Sequence, residues 1–253
     1  LGRAFAGVPR PRLVLATKCF FPMSDDPNDR GLSRKHLFES VHSSLRRLGT
    51  DYLDLHQCHR PDLETPLEET VRAYEDLIRQ GKVLHWGVSE WDEDLTAAAC
   101  RIADAAGGYR PISSQPQYSL LCRQIEHGVL GAHARLGLGQ IVWSPLAQGV
   151  LTGKYAGGAR PAGSGMENPE RAQFLGPLLS AANLERVERM RALARGLSVT
   201  PSQLALAWCL RRAEVASVIV GATRPEQLDE NARASGLTLP ASTARALDRI
   251  FPR

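Results

Sequence analysis

Asp51-Tyr52-Leu53-Asp54-Leu55-His56-Gln57-Cys58-His59-Arg60-Pro61-Asp62 reads as a strand rich in Leu and Tyr that closes on a polar end. Pro61 lacks the N–H a further ladder bond would need, so the strand stops there. His59 therefore sits at the carboxyl end of a strand, which in a parallel barrel is where chemistry is placed. Two other apolar runs end the same way. Leu13-Val14-Leu15-Ala16-Thr17-Lys18 ends on a lysine, and Val83-Leu84-His85-Trp86-Gly87-Val88-Ser89 ends on a serine. A site assembled from several strand ends is the expectation.

Working outward, Gly31-Leu32-Ser33-Arg34-Lys35 opens a helix with Ser33 as N-cap. Leu37, Val41, Ser44, Leu45 and Leu48 give it an inward stripe, and Gly49 stops it. Thr65-Pro66-Leu67-Glu68-Glu69 starts a second helix, with Thr65 as N-cap and acidic residues near the positive end of the dipole. That helix runs to Gln80. Further helices are expected over 92–106, 126–136, 184–194, 201–211, 225–234 and 239–250. Strands are expected over 112–117, 139–144 and 217–220. Residues 156–180 are rich in Gly and Pro and read as a long loop over the site or as partly disordered. Leu1-Gly2-Arg3-Ala4-Phe5 reads like the tail of a helix.

Alternation of strand and helix implies a parallel sheet. An open doubly wound sheet for dinucleotides should carry a Gly-rich fingerprint after its first strand, and no GxGxxG occurs. The remaining option is a closed α/β barrel, the (β/α)8 TIM barrel, filling residues 1–253 as one domain. A barrel has eight such units and six strands alternating with helices are read here, so the first two β/α units are expected to lie upstream of Leu1. As it stands, such a chain would bare apolar edges at its first and last strands and is expected to be insoluble or molten.

Composition excludes several classes. Hydrophobic residues are 43% of the chain, enough for a buried core, but no apolar run reaches the ~20 residues of a membrane span. The net charge of +4 is spread along the chain rather than gathered with aromatics into a nucleic-acid face. Cys19, Cys58, Cys100, Cys122 and Cys209 lack CxxC spacing and are odd in number, which suits reduced thiols in a cytoplasmic protein.

Each candidate has a plainer alternative. Lys18 alone could snorkel outward; beside His59 and Ser89 at equivalent strand ends, a functional role moves ahead. His56 and His59 fall on opposite faces of a strand and cannot share a metal, so no metal is expected. In Trp143-Ser144-Pro145-Leu146-Ala147-Gln148-Gly149-Val150-Leu151-Thr152-Gly153-Lys154-Tyr155, an indole at a strand end precedes a loop with hydroxyls, an amide, glycines and a lysine. That suits an anionic, aromatic ligand such as a dinucleotide. Val220-Gly221-Ala222-Thr223-Arg224-Pro225-Glu226-Gln227 passes from strand to helix N-terminus and reads as a phosphate site. A simple N-cap by Thr223 is compatible with that.

These stretches, with Ala16-Thr17-Lys18, Gly31-Leu32-Ser33-Arg34-Lys35-His36, Asp51-Tyr52, His59-Arg60-Pro61-Asp62, Gly81-Lys82-Val83 and Trp86-Gly87-Val88-Ser89, resemble the aldo-keto reductases. The nearest branch by resemblance is that of the potassium-channel β subunits and their bacterial relatives. The resemblance implies a barrel that binds NADPH without a Rossmann fingerprint and transfers hydride between nicotinamide and a carbonyl carbon. Of the family's Asp, Tyr, Lys and His, it assigns Lys18 as the lysine that lowers the pKa of the tyrosine acid, and His59 as the histidine that orients the carbonyl oxygen. Channel β subunits commonly carry Asn there, so histidine leans toward an active reductase. The resemblance further implies that Ser89 and Gln115 hold the carboxamide and that Trp143 stacks on the nicotinamide. Ser144, Pro145, Leu146, Gln148 and Lys154 would line the pyrophosphate. Gly221, Thr223, Arg224, Gln227, Glu230 and Asn231 would hold the adenosine end, with Thr223 and Arg224 toward the 2′-phosphate.

Two departures stand out. Glu90 occupies a position usually Asn or Arg, and Pro161-Ala162-Gly163-Ser164-Gly165 lacks the arginine often found in that loop. The expected Asp and Tyr would belong to a segment before Leu1; if these residues act alone, Tyr118 or Tyr155 would have to supply the proton. The expected substrate is a small aldehyde or ketone and the expected assembly a tetramer or octamer. The rival reading is a non-catalytic NADP-binding regulatory subunit.

Overall fold

The computed structural model describes residues 1–159, 161, 172–173 and 175–253. They form two compact units: residues 1–115 with 131–139, and residues 116–130 with 140–253.

The first unit begins with a short helix α1 (Gly2–Phe5). Its strands are β1 (Ala16–Cys19), β2 (Leu53–Cys58), β3 (Val83–Val88) and β4 (Ser113–Ser114), with β1, β2, β3 and β4 paired in that order, all parallel. Helices α2 (Arg34–Leu48), α3 (Leu67–Arg79) and α4 (Glu93–Ala105) alternate with them. Ser33 caps α2 by accepting the His36 N–H, and Asp92 caps α4 by accepting the Leu95 N–H. The expected cap at Thr65 is corrected: Pro66 takes that position, and the Thr65 hydroxyl instead donates to Asp62 at 2.8 Å. Asp62 also accepts the N–H groups of Leu32 at 2.7 Å and Glu64 at 3.0 Å. One carboxylate thus ties the turn after β2 to the entry of α2.

The two faces of this sheet differ in chemistry, as strand alternation requires. Cys19, Cys58, Trp86 and Val88 pack into a core with Leu37 and Val41 of α2 and Tyr74 and Leu77 of α3. Tyr74 stacks on Trp86, centroids 4.6 Å apart. The opposite face carries Lys18 across from Gln57, with Gly87 the next partner of Gln57 on β3. A Cβ at Gly87 would lie 2.2 Å from Ser113 Oγ and 2.7 Å from its carbonyl oxygen, so only glycine fits there.

The second unit contains β5 (Gly139–Trp143) from Gln140 onward, parallel to β6 (Val215–Ile219). Helix α5 (Val129–Leu136), which belongs to the first unit from Gly131 onward, starts after a break at Gly128. The helix expected over 126–136 is therefore a 3-10 turn, Gln124–His127, followed by α5. The remaining helices are α6 (Ala181–Gly196), α7 (Pro201–Leu210), α8 (Pro225–Ala232) and α9 (Ala241–Ile250). Thr200 and Gln203 form a reciprocal capping box at the start of α7. Tyr118, Val142, Val187, Met190, Leu204, Trp208 and Leu247 are among the residues of one buried core. Buried Arg123 bonds the Glu126 carboxylate and the Phe251 carbonyl, at 2.9 and 2.6 Å, which fixes the chain end to this core.

Strand extents differ from expectation where the ladder, not the apolar run, sets the limit. The strand expected over 13–18 begins only at Ala16 and ends at Cys19, since the Leu15 N–H goes to the Asp54 carboxylate at 2.7 Å. The strand expected over 112–117 keeps only Ser113–Ser114, since Pro116 has no N–H to give. The last strand runs Val215–Ile219 rather than 217–220. In the expected 156–180 loop, short 3-10 turns cover Ala156–Gly158 and Gly176–Leu179, while residues 162–165, where an arginine was found wanting, lie outside the described residues.

Candidate functional site

In the first unit, the Lys18 ammonium donates to Gln115 Oε1 at 2.6 Å. Gln115 Nε2 in turn donates to Gln57 Oε1 at 2.8 Å, and Ser89 Oγ donates to the Gln115 carbonyl at 2.8 Å. Lys18, Ser89 and Gln115 are therefore brought together, and Gln115, expected to hold a carboxamide, has protein partners at both ends of its side chain. Gln57 was not anticipated. Its signal was its parity with Leu53, Leu55 and His59 on the strand, and it is 1% exposed.

His59 follows the last residue of β2, its N–H bonded to the Cys19 carbonyl at 3.0 Å. Its ring meets Phe21 edge to face. Burial, then the charges of Lys18 and Arg60, push His59 down from 6.5 to about 4. Burial and the Arg60 guanidinium likewise lower the pKa of Lys18. Near neutral pH the imidazole is uncharged and can donate one hydrogen bond to a carbonyl oxygen without acting as a strong acid. Phe21 and Arg60, which shape this corner, were also missed.

His56 turns the other way. It is fully buried, with Nδ1 2.8 Å from the Tyr74 hydroxyl. Cys58 lies beside the same hydroxyl at 3.6 Å, and burial raises its thiol pKa well above 9.0, so it packs rather than reacts. Glu90, just past Ser89, has φ 56°, a left-handed conformation that asparagine tolerates better than glutamate.

In the second unit, one cavity of about 600 Å3 is lined by Trp143, Ser144, Pro145, Leu146, Gln148, Lys154, Gly221, Thr223, Arg224, Gln227, Glu230 and Asn231, all expected from sequence. Ser202 and Thr152 line it as well and were not expected. The loop after β5 is strained: Ser144, Ala147 and Gln148 all have positive φ, at 56°, 48° and 55°. Non-glycine residues in this conformation cost energy and cluster at ligand sites. Gln148 Nε2 bonds Ser144 Oγ at 3.1 Å. A Cβ at Gly149 would lie 2.9 Å from Lys154 Cε and 3.0 Å from its Nζ, so the missing side chain makes room for the ammonium.

Thr223 does not cap α8, contrary to the simple reading. Arg224 holds the cap position, and the Gln227 side chain accepts the Thr223 N–H at 2.8 Å and its hydroxyl at 3.3 Å. Arg224 is exposed, and among the described residues its guanidinium makes no hydrogen bond or ion pair. Glu230 accepts the Thr200 hydroxyl at 2.7 Å. An indole, an ammonium, a guanidinium and a glycine-opened loop on one cavity form a donor set that fits an aromatic polyanion.

The two fallback tyrosines are core residues. Tyr118 is fully buried and donates to Glu126 Oε1 at 2.7 Å; burial and that bond raise its pKa. Tyr155 is 1% exposed, and its hydroxyl has no hydrogen-bond partner among the described residues.

The aldo/keto reductase family model matches residues 1–251. A "Probable voltage-gated potassium channel subunit beta" of Oryza sativa subsp. japonica is 41% identical over 242 residues, covering 95% of this chain and 73% of that protein. A protein of the same description from Arabidopsis thaliana is 42% identical over the same shares.

Proposed function

The chain belongs to the aldo/keto reductase family, and from that premise we propose that it is an NADPH-dependent reductase of aldehydes or ketones. The observation that carries this is one cavity of the second unit, which gathers Trp143, Lys154, Thr223 and Arg224. When bound, the nicotinamide supplies the hydride. In this reading Trp143 stacks on it. Ser144, Leu146, Gln148 and Lys154 hold the pyrophosphate, while Thr223 and Arg224 face the 2′-phosphate. Neutral His59 donates a hydrogen bond to the substrate oxygen, and Lys18 places positive charge where negative charge develops. Tyr118 and Tyr155 are unsuited as acids, being enclosed in the core, so neither is assigned the proton. An eight-stranded barrel, a cytoplasmic location and a homo-oligomer belong to the same reading. Among the described residues no helix is long and apolar enough to cross a membrane.

The relatives' description as potassium channel β subunits favours a second reading of this chain, a non-catalytic regulatory subunit that binds NADP. A steady-state assay with NADPH and a panel of aldehydes and ketones separates the two. Turnover abolished by Lys18→Met supports the reductase; saturable NADPH binding with no turnover supports the regulator.

A further inference from the structure

We propose that Gln57 is a positioning residue that fixes the Gln115 amide and, through it, the place and proton affinity of the Lys18 ammonium. This rests on the reading of Lys18 as a residue of the reductase site.

The direction of each hydrogen bond follows from chemistry alone. A lysine ammonium has donors and no acceptor. The Gln115 atom 2.6 Å from Lys18 Nζ must therefore be its carbonyl oxygen. The other end of that amide is then an NH2 group, and its neighbour at 2.8 Å must accept, which orients Gln57 with Oε1 toward Gln115. If the Gln57 amide turned over, two NH2 groups would face each other. The relay Lys18, Gln115, Gln57 thus has a single satisfied arrangement, and Gln57 is its terminal acceptor.

The surroundings give Gln57 no other task. It is 1% exposed, and its Nε2 has no hydrogen-bond partner among the described residues, so the oxygen alone is used. Gln57 lies directly across from Lys18 on β2 and from Gly87 on β3. A Cβ at Gly87 would be 3.4 Å from Gln57 Cγ and would collide with Ser113, so glycine leaves the passage through which Gln57 reaches Gln115. A purely packing role would be served as well by leucine at 57, which would leave no buried N–H without a partner.

Lysine Cε–Nζ correlation spectra of the isotope-labelled protein test this without cofactor or turnover. The chain has only four lysines, Lys18, Lys35, Lys82 and Lys154, and Lys18→Arg identifies the Lys18 signal. In Gln57→Leu the Gln115 carbonyl is no longer held toward the ammonium. The Lys18 titration midpoint should fall by about half a pH unit to one unit. In Gln57→Glu a carboxylate replaces the amide, and the midpoint should rise. Lys35, Lys82 and Lys154 should not move in either. Should Gln57→Leu fail to fold, Gln57→Glu carries the test alone. Coincident Lys18 midpoints in the parent and the folded variants would overturn the proposal, as would a shift opposite to these signs. If the midpoints move as expected but no carbonyl compound is reduced, the positioning role stands and the reductase reading falls. If carbonyls are reduced and the midpoints stay fixed, the reverse holds.

Discussion

The His59 ring lies edge-on to Phe21, centroids 4.9 Å apart and planes at 80°, and the Arg60 guanidinium carbon sits 5.6 Å from the same Phe21 ring. A cation and a partly buried imidazole share one aromatic wall. His59 is pushed down to about 4 by burial, then Lys18 and Arg60, and His56 to about 3 by burial, then His36. In the unfolded chain each takes a proton near pH 6.5. Between the unfolded and folded values the unfolded state binds more protons, so stability rises with pH across this window and falls as acid is added. Urea unfolding from pH 7 to 4 should show that fall. A flat profile would mean both rings charge without cost.

Tyr74→Phe isolates the buried end of the same strand. The hydroxyl is His56 Nδ1's partner at 2.8 Å, while the ring's stacking on Trp86 needs no oxygen. Phenylalanine therefore keeps the packing and leaves a buried imidazole without its hydrogen bond, at a cost of about 1–3 kcal/mol. Chemical denaturation measures it; a change below a few tenths would show that the contact is neutral.

Arg123→Met should be more damaging. Arg123 and Glu126 side chains are 5% and 0% exposed, and Arg123 also holds the Phe251 carbonyl. Removing one partner of a buried pair typically costs about 3–5 kcal/mol. The expected readout is a large drop in the denaturant midpoint, with faster proteolysis near the chain end.

Arg224→Ala addresses cofactor choice. As proposed, an exposed guanidinium on the cavity that pairs with the 2′-phosphate should contribute about ten- to a hundredfold to NADPH affinity and little to NADH. Calorimetric titration with both cofactors decides this. Equal loss for both would make Arg224 a residue of the fold.

Much of this was legible in the sequence because it depends on periodicity and punctuation. Ser33 before an apolar stripe, Pro61 after a strand, and Trp143 before a glycine-bearing loop each act locally. All the residues expected from sequence on the 143–154 and 221–231 loops do meet at one cavity. What was not legible depends on neighbours distant in the chain. Gln57 gains its meaning from Gln115, 58 residues away, and from the space left by Gly87. Thr65 looked like a cap until Asp62 claimed its hydroxyl. Tyr118 and Tyr155 could be proposed as acids only while their burial was unknown.

Hydride transfer is tested most directly by following an isotope. The purified protein is incubated with an aldehyde and NADPH carrying deuterium at its transferable position, and the product is examined by mass spectrometry. The account predicts an alcohol with one deuterium on the carbinol carbon, and no such product from Lys18→Met. NADPH bound in the cavity with the aldehyde recovered unchanged would contradict it and leave a nicotinamide-binding regulator.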